Sequence, residues 1–146
     1  MTRQMMVSKV LELKGFTKEQ IEVEVKKTKD KLGVEKSRLD SLEGVFKNTV
    51  VEFNSMQGNG SSNIREIELF YDYFSYIGKQ IEEQREVVLR QLSELQAKQE
   101  AMLEAYKETR LFEILNDKIL NKEAKEALLG EQKEIDFNFL SRKSRK

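Results

Sequence analysis

The chain has 146 residues, 36% of them charged, and its 26 basic residues balance 26 acidic ones. It contains no His, Cys, Trp or Pro, which excludes disulfides, thiol and imidazole catalysis and the usual structural zinc sites. The zero net charge gives no overall attraction to nucleic acid or to membranes, and no apolar run approaches the roughly 18 residues of a membrane span. Because the N-terminus also lacks the apolar core of a signal peptide, the sequence predicts a cytoplasmic protein.

The first half of the chain has the pattern of a long helix. Thr17 with Gln20 fits a capping box that would start a new helix after Gly15; the alternative, which we favour, is one continuous helix in which Gly15 costs about 1 kcal/mol. From Ile21 onward the spacing alternates between four and three residues, as in a coiled coil. This predicted seam consists of Ile21, Val25, Thr28, Leu32, Glu35, Leu39, Leu42, Phe46, Thr49, Phe53 and Met56.

A cluster rich in glycine, asparagine and serine, residues 57–63, separates this helix from the next one. Gly and Asn accept left-handed backbone angles easily, so the cluster predicts a reversal of the chain centred on Gly60. Asn63, with Glu66 three residues later, fits a capping box and predicts that the second helix starts at this point. In this motif the Asn63 side chain accepts from the Glu66 N–H, and the Glu66 side chain accepts from the Asn63 N–H.

Folding the chain back at Gly60 predicts which residues of the two helices face each other. Phe46 then faces Phe74, and Glu35, the acid of the first seam, faces Arg85. We predict an ion pair between Glu35 and Arg85 that sets the register of the two helices. Further predicted pairs are Phe53 with Ile67, Leu42 with Gly78, Leu39 with Ile81, Leu32 with Val88, and Val25 with Leu95.

The second helix continues the heptad spacing. Its predicted seam consists of Ile67, Tyr71, Phe74, Gly78, Ile81, Arg85, Val88, Leu92, Leu95, Gln99, Met102 and Tyr106. Residues near 116 weaken the helix and Gly130 is expected to interrupt it, so that residues 117–146 form a helical extension with a basic tail. The sequence therefore predicts an all-α fold, a long antiparallel two-helix coiled-coil hairpin with a C-terminal helical extension. Its arms cover about 5–56 and 64–116, in a single elongated domain.

An aromatic segment opens the second helix, with five aromatic residues within residues 70–76. On a helical wheel Ile67, Phe70, Phe74, Ile77 and Ile81 lie on the seam side. By contrast, Leu69, Tyr73, Tyr76 and Gln80 face outward. An exposed stripe formed by Leu69, Tyr73 and Tyr76 is typical of a binding surface, although a third helix or a second copy of the chain could also cover it.

The sequence contains no pattern of residues that indicates a catalytic site. The carboxylates lie on solvated helix faces without a pocket to perturb them, and no residue pattern predicts a bound cofactor or metal. We therefore interpret the chain as a non-enzyme. The basic tail could favour nucleic acid, but the preferred interpretation is a solvated tail and no nucleic-acid partner.

The turn Met56-Gln57-Gly58-Asn59-Gly60 after a long helix, followed by the aromatic start of a second one, resembles the FliJ family of flagellar type III export proteins. Lys9-Val10-Leu11-Glu12-Leu13-Lys14 is also similar to that family's first helix. The resemblance implies a non-catalytic, monomeric stalk, similar to the central stalk of rotary ATP synthases. It implies contacts with the export ATPase ring, the export gate protein FlhA and export chaperones. It also implies a cytoplasmic location, peripheral at the membrane-embedded flagellar base, with membrane contact only through partners.

Two sets of residues follow from this resemblance. The gate-binding set is Leu42, Tyr73, Ile77, Gln80 and Gln84; Arg38, Val45 and Thr49 depart from the family's pattern on the first helix. The ATPase-binding set is Val7, Val10, Leu11, Leu111, Leu115 and Ile119. Alternative functions are a prefoldin-like holdase, an oligomeric coiled-coil scaffold, and the equivalent stalk of a virulence-type secretion system.

Overall fold

The computed structural model of the chain describes residues 2–60 and 63–144. Two helices, α1 (Arg3–Gly58) and α2 (Ile64–Ser144), account for nearly all of these residues, and no strand occurs in the described ranges. The helices pack against each other, which confirms the predicted all-α helical hairpin. Ser61 and Ser62 of the predicted hinge, and Arg145 and Lys146 of the tail, lie outside the described residues.

Helix α1 is capped at its start and runs without a break. The hydroxyl oxygen of Thr2 accepts a hydrogen bond from the Met5 N–H (3.2 Å), and the Thr2 carbonyl accepts one from the Met6 N–H (3.2 Å). The helix continues through Gly15, as the favoured interpretation predicted. Thr17 caps no new helix, because its hydroxyl donates to the Leu13 carbonyl one turn back (3.1 Å).

The chain reverses at the predicted position. Helix α1 ends at Gly58, and the Asn59 N–H donates to the Ser55 carbonyl at 3.1 Å. Gly60 has a φ of +66°, a left-handed conformation that glycine adopts without a steric cost. The side-chain oxygen of Asn63 accepts a hydrogen bond from the Glu66 N–H (2.9 Å), so the predicted N-cap of α2 is confirmed. The return bond from the Glu66 side chain is not seen among the described residues.

The chain divides into two compact units. We call Glu22–Glu100 the hinge unit, and Met1–Ile21 with Ala101–Lys146 the terminal unit. The core of the hinge unit contains five buried apolar side chains, Val25, Leu32, Ile77, Ile81 and Leu95.

Aromatic side chains pack across the helices next to the turn. The rings of Phe46 and Phe74 lie 5.5 Å apart in an edge-to-face arrangement, which confirms the predicted pair. Phe53 lies 5.3 Å from Phe70 and 5.8 Å from Phe74. Such pairs add roughly 0.5–1.5 kcal/mol each beyond the burial of their area, so this end of the hinge unit is firmly packed.

Every position of the predicted α1 seam is buried or half-buried. The predicted α2 seam is right at every second position, and at most of the others it lies one residue too late. The structure uses Phe70 and Ile77 where the heptad count predicted Tyr71 and Gly78, as the helical wheel of the aromatic segment indicated. Phe70 and Ile77 bury more apolar surface, while Tyr71 stays 61% exposed and keeps its hydroxyl near water. The corrected positions further along are Gln84, Gln91 and Ala105, in place of the exposed Arg85, Leu92 and Tyr106, whereas Lys98 and the predicted Gln99 are both half-buried.

The ion pair predicted between Glu35 and Arg85 is not formed. Because Gln84 occupies the seam, its side-chain amide donates to the Glu35 carboxylate (2.6 Å) and to the Glu35 main-chain carbonyl (3.0 Å). Arg38 also reaches Glu35 at 3.2 Å, whereas Arg85 pairs with Glu43 at 3.3 Å. The polar layer at Glu35 exists, but its partner across the helices is Gln84.

Buried threonines occupy three positions facing the other helix. The hydroxyls of Thr28, Thr49 and Thr109 each donate to the carbonyl four residues earlier, at 2.9, 2.8 and 2.8 Å. Since these bonds stay within one helix, the threonines are buried without an unpaired polar group.

In the terminal unit, α1 and α2 are held by charged side chains that also contact aromatic rings. Lys14 pairs with Glu108 at 2.7 Å and lies 5.8 Å from the ring centre of Phe112. The Lys18 ammonium lies 4.9 Å from the ring centre of Tyr106, within the range of a cation–π interaction.

Helix α2 continues to Ser144, so the interruption predicted at Gly130 is wrong. One glycine costs only about 1 kcal/mol, and the flanking Ala, Leu, Glu, Lys and Gln residues extend a helix that is already nucleated. All of residues 120–140 are exposed.

Candidate functional site

The outward face of the aromatic segment carries an exposed apolar patch. Leu69, Tyr73 and Tyr76 are 64%, 39% and 61% exposed, and we call these three residues the aromatic patch. They are spaced by four and three residues, so they share one face of α2. In the same turns, Phe74 packs on Phe46 and Phe53 of α1, and Ile77 is buried. The segment 69–77 therefore contributes side chains both to the core of the hinge unit and to the exposed aromatic patch.

A groove of about 310 Å³, which we call the hinge groove, lies beside this patch. It is lined by Thr49, Glu52, Leu69, Phe70 and Tyr73. The Thr49 hydroxyl is already bonded to Val45. Among the described residues of the lining, Glu52 is the one that is charged. Sequence reasoning identified Leu69 and Tyr73 and missed Glu52. The available signal was the spacing of Thr49 and Glu52, which places them on one face of α1.

The five residues that the resemblance assigned to gate binding differ in accessibility. Tyr73 is exposed, whereas Leu42, Gln80 and Gln84 are half-buried. Ile77 is only 4% exposed and belongs to the core of the hinge unit. It can position Tyr73 by packing beneath the same face, but it offers almost no surface to a partner.

A second groove in the hinge unit was not predicted from the sequence. It has a volume of about 440 Å³, and we call it the Gly78 groove. A Cβ atom added to Gly78 would meet no heavy atom within 4 Å, so the missing side chain helps to open this space. The lining residues are Glu43, Phe46, Lys47, Gly78, Ile81, Glu82 and Arg85.

The residues assigned to ATPase binding lie in the terminal unit. Leu111 and Leu115 are 66% and 43% exposed, and Leu111 also lines a groove of about 470 Å³ with Tyr106, Lys107 and Arg110. The others, Val7, Val10, Leu11 and Ile119, are half-buried. Leu111 and Leu115 therefore offer the largest accessible area of this set.

The last part of α2 exposes many large apolar side chains. Phe137, the most exposed, is 72% accessible. The full set is Leu120, Leu128, Leu129, Ile135, Phe137, Phe139 and Leu140.

The charged clusters of the described residues resemble ordinary helix surfaces. The hydrogen bond with Glu94 (3.1 Å) raises the pKa of Lys98 above its ordinary value, and Glu24 at 3.4 Å adds to this effect. Lys98 also donates to the Thr28 hydroxyl (2.9 Å), which ties α2 to α1. No group of acidic residues in the described ranges could hold a metal ion. Within the same ranges, neither helix has a stretch that is both long and apolar enough to cross a membrane.

No curated protein and no solved structure matches the chain. Residues 5–143 match the family model described as Flagellar FliJ protein. The match covers α1 from its first turn, the reversal at Gly60 and almost all of α2.

Proposed function

Since this chain belongs to the FliJ family of flagellar proteins, and is therefore a component related to flagellar export, we propose that it couples the export ATPase ring to the export gate without catalysing a reaction itself. The observation that carries this proposal is the family match over residues 5–143. The hairpin supports it, because each of its two units exposes apolar side chains that a partner could cover.

For the gate protein FlhA we propose the face of the hinge unit that includes Tyr73. Tyrosine is well suited to such contacts, since it combines a large apolar ring with a hydroxyl. The half-buried Leu42, Gln80 and Gln84 would extend this contact. Ile77, which is buried, would act by holding Tyr73 in position.

For the ATPase ring we propose the terminal unit, with Leu111 and Leu115 in direct contact. Val7, Val10, Leu11 and Ile119 would shape that surface from their half-buried positions. We further propose that the protein assists the cycling of export chaperones, acts as a cytoplasmic monomer at the flagellar base, and reaches the membrane only through its partners.

Charge substitution at the ATPase surface tests one half of this function. The double variant Leu111→Glu/Leu115→Glu should lose capture of the export ATPase in a pull-down, because both side chains are accessible. Leu103→Glu is the matched control, since Leu103 is 53% exposed on the same helix. Equal capture by the wild type and the double variant, with both folded by circular dichroism, would contradict the assignment.

Truncation of Tyr73 tests the other half. Tyr73→Ala should reduce both FlhA binding and swimming motility, while Leu92→Ala, which removes a side chain of similar exposure at 43%, should leave both unchanged. Normal motility of Tyr73→Ala cells would count against the gate contact. A stable oligomer in sedimentation velocity would instead favour the oligomeric scaffold.

A further inference from the structure

We propose that the hinge groove accepts one apolar side chain of the gate protein, and that basic side chains flank this side chain and meet an acidic rim formed by Glu52, Glu66 and Asp72. The inference rests on the proposed function and adds the chemistry of the partner surface. It also assigns a role to residues that the family resemblance left out.

The groove, with a volume of about 310 Å³, has room for a single side chain. Leu69, Phe70 and Tyr73 provide its apolar lining. The Thr49 hydroxyl is bonded to Val45 at 2.8 Å, so an apolar side chain that enters leaves this hydroxyl paired, and the Glu52 carboxylate is available to a basic group of the partner. Side chains that enter a pocket on the partner carry much of the binding energy in protein interfaces.

The charges around the groove are mostly negative and uncompensated. Between Lys47 and Lys79 the chain has a single basic residue, Arg65. Its acidic residues there are Glu52, Glu66, Glu68 and Asp72. None of these five takes part in an ion pair within the described ranges, although ion pairs are frequent further along both helices.

Three of the acids lie next to the groove or the aromatic patch. Glu52 lines the groove itself. Asp72 is three residues from Leu69 and four from Tyr76, and Glu66 is three residues before Leu69, so each shares a helix face with the patch.

Glu66 gives an independent sign of a missing partner. Its Oε2 atom is buried and has no hydrogen-bond partner among the described residues. A buried carboxylate oxygen without a donor is costly, since it has lost water and gained nothing in return. Rotation of this carboxylate toward the surface would let a lysine or arginine of the partner, arriving beside the groove, supply the donor.

The proposal predicts a particular dependence on salt. Rim charges of an interface act mainly on the rate of association and on its response to ionic strength, whereas the central apolar contact acts at any salt concentration. Binding should therefore separate into a salt-sensitive part from the acidic rim and a salt-insensitive part from the groove.

The test measures the dissociation constant between the full-length chain and the cytoplasmic domain of FlhA at about 0.05 M and about 0.5 M salt. The rim variant Glu52→Lys/Asp72→Lys should bind roughly tenfold more weakly than wild type at low salt and within about twofold of it at high salt. Leu69→Ala should bind roughly tenfold more weakly at both.

Matched controls come from elsewhere on the same helix. Glu82→Lys/Glu86→Lys makes the same change in net charge at exposed positions, and Leu89→Ala removes a leucine that is 63% exposed; both should bind like the wild type. Thermal unfolding followed by circular dichroism identifies any variant that has lost its fold.

Three outcomes would overturn the inference. If the rim variant binds like the wild type while Tyr73→Ala loses binding, the acidic rim has no role and the proposed function stands. If the control double variant loses as much affinity as the rim variant, the effect is one of net charge. If the wild-type chain does not bind FlhA at all, both the inference and the gate contact fail.

Discussion

Two stretches of α2, residues 67–81 and residues 120–140, have the same secondary structure for different physical reasons. In the first, Phe70 and Phe74 pack on Phe53 of α1, and Ile77 and Ile81 are 4% and 7% exposed. In the second every residue is exposed. A helix that is already nucleated can continue on propensity and on pairs of side chains one turn apart, with little help from packing.

The two stretches therefore differ in what their apolar side chains do: those of the first stabilise the fold, and those of the second are accessible to a partner. The aromatic stretch should hold most of the folding free energy, because burial of apolar area is the main favourable term. The apolar side chains of residues 120–140 contribute little to folding and remain free for a partner. Substitutions that remove the same chemical group from each stretch measure how far the two stretches differ in stability.

The largest expected effect is that of Phe74→Ala. Its ring contacts Phe46, Phe53 and Phe70, so its loss should lower the free energy of unfolding by about 3 kcal/mol. Phe137→Ala, at a side chain that is 72% exposed, should change it by less than about 0.5 kcal/mol. Urea unfolding followed by circular dichroism measures both. Equal losses would mean that residues 120–140 are packed in solution.

The next largest effect is that of Ile77→Ala, which should lower the free energy of unfolding by about 2 kcal/mol. Because Ile77 is 4% exposed, FlhA binding should fall only as far as the folded fraction falls, and should recover at low temperature. Tyr73→Ala should instead weaken binding with a loss of stability under about 1 kcal/mol. A variant Ile77→Ala that is fully folded and does not bind would place Ile77 in the interface.

How much of this could be read from the sequence differs between the two helices. The α1 seam follows directly from heptad spacing, since its apolar residues leave no competing series. On α2 two series fit the same spacing, one through Tyr71 and Gly78 and one through Phe70 and Ile77. Spacing alone cannot choose between them; the choice depends on which series buries more apolar surface against α1.

The candidate site shows a similar limit. The outward direction of Leu69, Tyr73 and Tyr76 follows from the period of the helix. The hinge groove also needs the position of Glu52 on α1, which depends on the register across the two helices. The error at Arg85 has the same origin, because a shift by one residue exchanges an arginine for Gln84 in the seam.

The polar layer at Glu35 provides the next prediction. In a double-mutant cycle, Glu35→Ala and Gln84→Ala should show a coupling energy of about 1 kcal/mol, since their side chains share a hydrogen bond of 2.6 Å. The cycle of Glu35→Ala with Arg85→Ala should show coupling close to zero. A large coupling between Glu35 and Arg85 would restore the register predicted from the sequence.

The smallest effect concerns Gly130, and it tests the exposed stretch directly. A Cβ atom there would meet no heavy atom within 4 Å, so Gly130→Ala should stabilise the local helix by about 0.8 kcal/mol through propensity alone. Amide hydrogen exchange should slow in the neighbouring turns, whereas the global free energy of unfolding should stay the same, because this stretch opens separately from the packed core. Gly60→Ala is the contrasting variant: with a φ of +66°, the added methyl group should destabilise the turn. A rise in global stability on Gly130→Ala would show that residues 120–140 unfold together with the hinge unit, and the distinction between the two stretches would then be lost.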